Sequence, residues 1–229
     1  MPGHHRHAHR AAAQDGLSPV DRRRFALQAA ALACAASGLP ARAQAPGFVP
    51  TEDRDFRVLA RPVAVPATGK IEVIEFFWYA CPHCFAFEPA LEGWLARLPS
   101  DVGFHRVPVG FDARKQTHQR IFYTWEALGQ VDQMHVRTFT RFHVQRKPID
   151  SLADMLAFAQ ESGLDGAKVQ AAWNSFGVQA RCREALRLED DYGISEMPEL
   201  AIGGRFVALA RPGVLITTDA LINRIRYHG

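Results

Sequence analysis

The sequence predicts an α/β protein in which a mixed sheet is assembled from two separated halves, with an all-helical block inserted between them. Three observations predict it. The run from Ile71 to Tyr79 is so rich in β-branched and aromatic residues that it reads as a strand buried on both faces. From Asp112 to about Gly177 the apolar spacing is helical, with no strand pattern. Strand character then returns at 199–209 around Gly203-Gly204, a hairpin signal. Neither half can bury its apolar strand alone, so the two must join into a sheet of four or five strands with helices on both faces.

The elements follow in order. Residues 1–43 read as a targeting segment. Arg22-Arg23-Arg24-Phe25 is a positive n-region, 26–39 an alanine-rich h-region, and Ala41-Arg42-Ala43 a small-x-small cleavage signal before Gln44. The h-region is shorter than the roughly 20 residues of a membrane span. Export by the general secretory or the twin-arginine route is expected. The tract His4-His5-Arg6-His7-Ala8-His9 has a metal-binding composition but reads better as disordered leader. A loose mature N-terminus over 44–55 precedes short apolar alternation at 56–59 and 62–65.

After the 71–79 strand come Ala80-Cys81-Pro82-His83-Cys84, then Phe85, Phe87, Leu91, Trp94, Leu95 and Leu98 at helical spacing, stopped by Pro99. A second strand at 102–109 makes this a parallel strand–helix–strand unit. Helices are expected around 121–128, at 131–144, 151–162, 165–176 and 181–192, with Asp150 or Ser151 and then Asp165 as N-caps. Tyr123, Trp125, Trp173 and Phe176 fall at helical spacing and are expected in the core. A terminal helix at 217–227 has Thr218 or Asp219 near its start. The organisation is therefore a signal peptide with disordered leader (1–43), a βαβ half (44–111), a helical insertion (112–178), and a linking helix with a ββα half (179–229).

The formal charge of +3 is concentrated in the leader; the remainder holds 21 basic and 22 acidic residues, no surface for nucleic acid. Cys34 lies in the h-region, so the mature chain keeps Cys81, Cys84 and Cys182. An odd count in a disulfide-permissive compartment argues for one reactive pair and one spare thiol rather than a stapled scaffold.

Cys81 and Cys84 carry the chemistry. Structural zinc needs four ligands, and His105, His118, His135, His143 and His228 are scattered without ligand spacing, so no metal is expected. The motif falls between a buried strand and a helix start. This sets Cys81 at the helix N-terminus, where free N–H groups favour a sulfur anion, and Cys84 one turn deeper. Cys81 is the expected nucleophile and Cys84 the resolving thiol. Pro82 suits the first turn, and His83 beside the thiolate lowers its pKa if protonated, unless it is merely a polar turn residue. Glu75 is either a buried acid of raised pKa that relays protons to Cys84 or a strand-end carboxylate reaching solvent. Cys182, despite Arg181, Arg183 and Arg187 nearby, is expected to pack as a small hydrophobe.

Glu75-Phe76-Phe77 through Cys81-Pro82-His83-Cys84, with Phe87-Glu88-Pro89 after it, closely resembles the DsbA family of periplasmic thiol:disulfide interchange proteins in the thioredoxin superfamily. So do Ala171-Ala172-Trp173-Asn174-Ser175-Phe176 and Met197-Pro198 before the second strand block. The resemblance spans roughly 56–228 and implies a thioredoxin-like mixed sheet with an inserted all-helical domain. It implies a dithiol oxidase that passes a disulfide to unfolded exported polypeptides, is re-oxidised by a quinone-linked membrane oxidase of DsbB type, and uses no cofactor beyond the Cys81–Cys84 disulfide. By the same resemblance Pro198 is a cis-proline facing the redox pair, Met197 part of the contact surface, and Glu75 the buried acid, with His105 or Arg106 as its basic partner. Met197 departs from the smaller residue expected before that proline, which bears on substrate preference. A monomer is expected. The competing readings are a periplasmic disulfide reductase or isomerase, and a metal- or peptide-binding module on the same fold.

Overall fold

The computed structural model describes residues 48–228, without the side chain of His228. The targeting segment, its cleavage site, the histidine tract and Cys34 lie outside the described residues.

The sheet is built around β2 (Ile71–Phe77), which is buried along nearly its whole length because both faces are covered. It pairs in parallel with β3 (Val102–Pro108), and the connection between them is α1 (Pro82–Leu95). On its other edge β2 pairs antiparallel with β4 (Glu199–Ile202), which turns through Gly203-Gly204 into β5 (Phe206–Ala208). β1 (Phe56–Val58) closes the sheet against β5, giving the order β1-β5-β4-β2-β3. Gly203 and Gly204 take φ of 57° and 67°, the left-handed pair that a tight hairpin needs. A Cβ on Gly204 would meet the Val63 carbonyl oxygen at 2.1 Å. The alternation at 62–65 is therefore not a strand; Val63 instead donates its N–H to Gly204 O at 2.8 Å.

Between the sheet halves run α2 (Ala113–Ala127), α3 (Val131–His143), α4 (Leu152–Glu161), α5 (Gly166–Trp173) and α6 (Phe176–Asp191); α7 (Val214–His228) ends the chain. Asp112, Ser151, Asp165 and Ser175 each accept a first-turn N–H and so start α2, α4, α5 and α6. The Ser175 cap corrects two expectations. It splits the 165–176 run at Asn174 and begins α6 at Phe176 rather than at 181, so the division drawn at 178/179 passes through this helix. It also turns Phe176 outward, 77% exposed beneath the Arg183 guanidinium, whereas Tyr123, Trp125 and Trp173 are buried. α7 likewise starts three residues earlier than expected, and Thr218 bonds back to Val214 O from inside the helix. At the other end of the first half, α1 stops at Leu95, with a turn carrying the chain to Leu98.

The sheet separates two cores. On one side Val73, Leu200 and Ile202 pack with Leu91 and Trp94 of α1 and Leu221 and Ile222 of α7. On the other, Ile74, Phe76 and Phe77 pack beneath the helical block, against residues such as Phe122, Met134 and Phe139. Phe139 is fully buried, with ring centroids 5.1 Å from Tyr79, 5.9 Å from Phe77 and 6.1 Å from Phe85. It locks the block to the end of β2. Phe139→Ala is expected to destabilise the protein by about 3–5 kcal/mol, measured by denaturant unfolding.

Candidate active site

The turn 78–81 carries the chain from β2 into α1, with Cys81 N bonded to Trp78 O at 3.0 Å. Cys81 is the N-cap, in extended conformation (φ −81°, ψ 117°), and Pro82 fills the first helical turn where a missing N–H is harmless. Both thiols are free and buried. The Cys84 thiol, donating to the Cys81 sulfur, lowers the Cys81 pKa to about 6 against the opposing effect of burial; the N–H groups of Cys84 and His83 and the His83 charge act in the same direction. Cys84 moves the other way. Burial raises it well above the ordinary thiol range, and the charges on Cys81 and Glu75 add to this. One sulfur is poised as an anion and its neighbour as a thiol.

Across from Cys81, the Met197-Pro198 peptide bond is cis, and the Met197 carbonyl oxygen is 3.7 Å from Cys81 Sγ. Both residues line a groove of about 740 Å³ beside the redox pair, together with Pro82, His83, Phe87 and Trp78. The sequence-expected residues Cys81, Cys84, Pro82, His83, Met197 and Pro198 thus meet in one place.

Glu75 is fully buried, so the solvent-reaching alternative does not describe it. The parallel register places Arg106 directly opposite Glu75, with Nε 3.1 Å from Oε2. That approach is not aligned along an N–H, and neither Glu75 oxygen receives a hydrogen bond. The guanidinium gives its aligned contacts to others: 2.7 Å to Glu92 Oε1 and 3.3 Å to Glu88 Oε2. One cation shared by three carboxylates leaves a proton wanted, and Glu75 is where it resides, its pKa raised to about 8 by burial first and the Glu88 carboxylate second. Arg106, not His105, is the basic partner; His105 pairs with Glu72 instead.

Sequence reasoning named Arg106 only as an alternative to His105 and gave no role to Glu88 or Trp78. The signals existed: register opposite Glu75 for Arg106, and the position one helical turn after Cys84 for Glu88. The scattered histidines have structural partners. His135 bridges the Tyr79 hydroxyl (3.0 Å) and Glu88 Oε1 (3.3 Å), and His143 Nε2 donates to Tyr79 O at 2.8 Å. Among the described residues no three metal-ligating side chains converge. Cys182 is half-buried on α6, and burial lifts its thiol to about 11 despite Arg120, Arg183 and Arg181.

A paired thiol and thiolate at the head of a helix, facing a cis-proline on a sheet of this order, define a thioredoxin-like redox protein. The sequence profile of the DSBA-like thioredoxin domain matches residues 72–214. The thiol:disulfide interchange protein DsbA of Burkholderia cepacia is 34% identical over 191 residues, which cover 80% of this chain and 90% of that one. The protein of the same name from Bordetella pertussis is 38% identical over 146 residues, 64% of this chain and 69% of its own. Among solved structures, a point variant of Pseudomonas aeruginosa DsbA superposes with a TM-score of 0.75 at 32% identity, covering 78% of this chain and 99% of that one. The oxidoreductase DsbA of Xylella fastidiosa gives 0.72 at 27% identity over the same shares. The chain belongs to the DsbA-like thioredoxin family and is a thiol:disulfide oxidoreductase. No helix among the described residues is long and apolar enough to cross a membrane.

Two measurements check this electrostatic arrangement. Alkylation of the reduced protein is expected to follow a single ionisation near pH 6 at Cys81, with Cys84 unreactive over that range. Glu75 gives a second test. Its carboxyl stays protonated to about pH 8 when folded but ionises near 4.5 when unfolded, so the folded state holds the extra proton and stability falls as pH rises through that window. In the oxidised protein, where neither sulfur titrates, Glu75→Gln is expected to flatten the loss of stability between pH 5 and pH 8, read from denaturant midpoints.

Proposed function

We propose that the protein is a periplasmic dithiol oxidase that donates the Cys81–Cys84 disulfide to unfolded exported polypeptides. A substrate thiolate attacks Cys81 Sγ, the Cys81–Cys84 bond breaks, and Cys84 leaves with the electron pair. A thiolate at Cys84 is disfavoured by burial, so it takes up a proton, for which Glu75 is the adjacent buried acid. The second substrate thiolate then attacks the substrate sulfur of the mixed disulfide and expels Cys81, which departs as a stabilised anion. The substrate loses two electrons and the protein gains them. In the reverse direction Cys84 resolves the mixed disulfide. Met197 and Pro198 present backbone to the substrate chain beside the attacked sulfur.

The depressed pKa of Cys81 carries this reading. Each unit by which the thiolate is favoured stabilises the dithiol over the disulfide, making the disulfide more oxidising and Cys81 the better leaving group. The cycle then needs an electron acceptor. A quinone-linked membrane oxidase of DsbB type is the partner that the family membership supports, and the leader's signal pattern supports delivery to the periplasm. The protein works as a monomer in this scheme, with no cofactor beyond its own disulfide.

Equilibration of the Cys81/Cys84 pair with glutathione is expected to give a potential well above thioredoxin's roughly −270 mV; a value at or below that sinks the oxidase reading. Cys81→Ser is expected to abolish oxidative refolding of a reduced disulfide protein. Cys84→Ser is expected to form mixed disulfides through Cys81 without completing turnover, visible as covalent adducts on non-reducing gels.

A further inference from the structure

Trp78 forms one wall of the groove beside Cys81, yet the contacts that hold its indole come from the helical block. Indole Nε1–H is a donor only, and it is 2.7 Å from His118 Nδ1 on α2. This fixes the histidine's tautomer. Nδ1 accepts, so the ring proton is on Nε2, which donates to Asp150 Oδ1 at 2.9 Å. Asp150 is itself anchored by Arg114 Nε at 2.8 Å. His118 is 1% exposed and packs edge-to-face with Phe142 from α3, their ring centroids 4.8 Å apart. Burial, reinforced by Arg114, holds the imidazole below its ordinary pKa against the pull of Asp150, which keeps Nδ1 free to accept. From α2 also, Lys115 sets its ammonium 4.6 Å over the indole ring while pairing with Asp112.

We propose that Trp78 is a specificity-determining contact of the groove, favouring polypeptides with an apolar or aromatic side chain beside the reacting cysteine, and that His118 and Asp150 are the positioning residues that hold it. The inference rests on the groove being the polypeptide's seat. A substrate cysteine reaching Cys81 brings its flanking residues past the groove walls, which at Trp78, Phe87, Pro212 and Val214 are apolar. The charges of Lys115, Arg211 and Glu196 stand among them, the last two paired at 2.8 Å. A half-exposed tryptophan on a turn has two torsions to lose on contact. The His118 bond removes that freedom beforehand, so the ring is preorganised as a platform.

The test uses two dithiol peptides that differ only in whether Phe or Ser stands beside the cysteine. The oxidised parent is expected to prefer the Phe peptide by about tenfold in kcat/KM. His118→Leu is expected to lose most of that preference through KM, with the Cys81/Cys84 potential unchanged. His118→Asn, whose Oδ1 can take the place of Nδ1, is expected to restore it. Trp78→Phe keeps an aromatic surface but not the N–H; it is expected to lose part of the preference, and it provides the test if His118→Leu does not fold. Equal rates for both peptides with the parent, a preference that survives in His118→Leu and Trp78→Phe, or a loss accompanied by a shifted potential each overturn the inference. A parent that oxidises neither peptide instead overturns the proposed function.

Discussion

The site depends on a sulfur atom standing where four other helices place an oxygen. Asp112, Ser151, Asp165 and Ser175 each satisfy a first-turn N–H of their helix with a hard acceptor, whereas α1 begins with Cys81 and has no such cap. A capping oxygen is worth about 1 kcal/mol to a helix, and α1 forgoes it. What it keeps is a set of unsatisfied donors and the positive end of the helix dipole aimed at an ionisable thiol. Packing of α1 through Leu91 and Trp94 against β2 and α7 stabilises the helix by burial, leaving its first turn free to serve chemistry.

Beneath that turn the charges are arranged so that the two sulfurs titrate in opposite directions. Cys81 sees donors and the edge of the groove; Cys84, three residues on, sees a closed core and a carboxyl group. Environments that push two like groups apart assign their roles, one as anion and the other as acid. Arg106 cannot neutralise Glu75, Glu88 and Glu92 together, and the half-exposed Glu92 takes the shortest contact because it is easiest to bring into alignment. Glu75, the deepest of the three, is left to hold a proton close to Cys84.

Much of this was legible in the sequence wherever the signal was local. The composition of β2, the two cysteines placed between a strand and a helix, and the paired glycines of the hairpin each constrain the backbone within a few residues. What was not legible depends on which residues face each other across the sheet. Arg106 became the partner of Glu75 through the β2–β3 register, and a shift of one residue would have presented His105. The helix boundaries failed for a different reason. Asn174-Ser175 lies inside a run read as one apolar repeat, and it is the extended backbone of Ser175 and the hydrogen bond from Val178 N to its Oγ that show one helix ending and another beginning. Phe176 was assigned to the core on that unbroken period.

The histidines show why the helical block is more than an insertion. His118, His135 and His143 reach Trp78 and Tyr79, the first two residues of the turn that carries β2 into α1. Tyr79 is buried and held at both its hydroxyl and its carbonyl, and the ring that holds the hydroxyl also holds Glu88. Sliding the block relative to the sheet would leave the Tyr79 hydroxyl and a buried carboxyl without their partner, which costs more than the small shear itself. The block, the turn that presents Cys81 and the charge network under Cys84 are therefore tied through Tyr79, His135 and Glu88, whereas the His118–Trp78 bond ends at the groove wall.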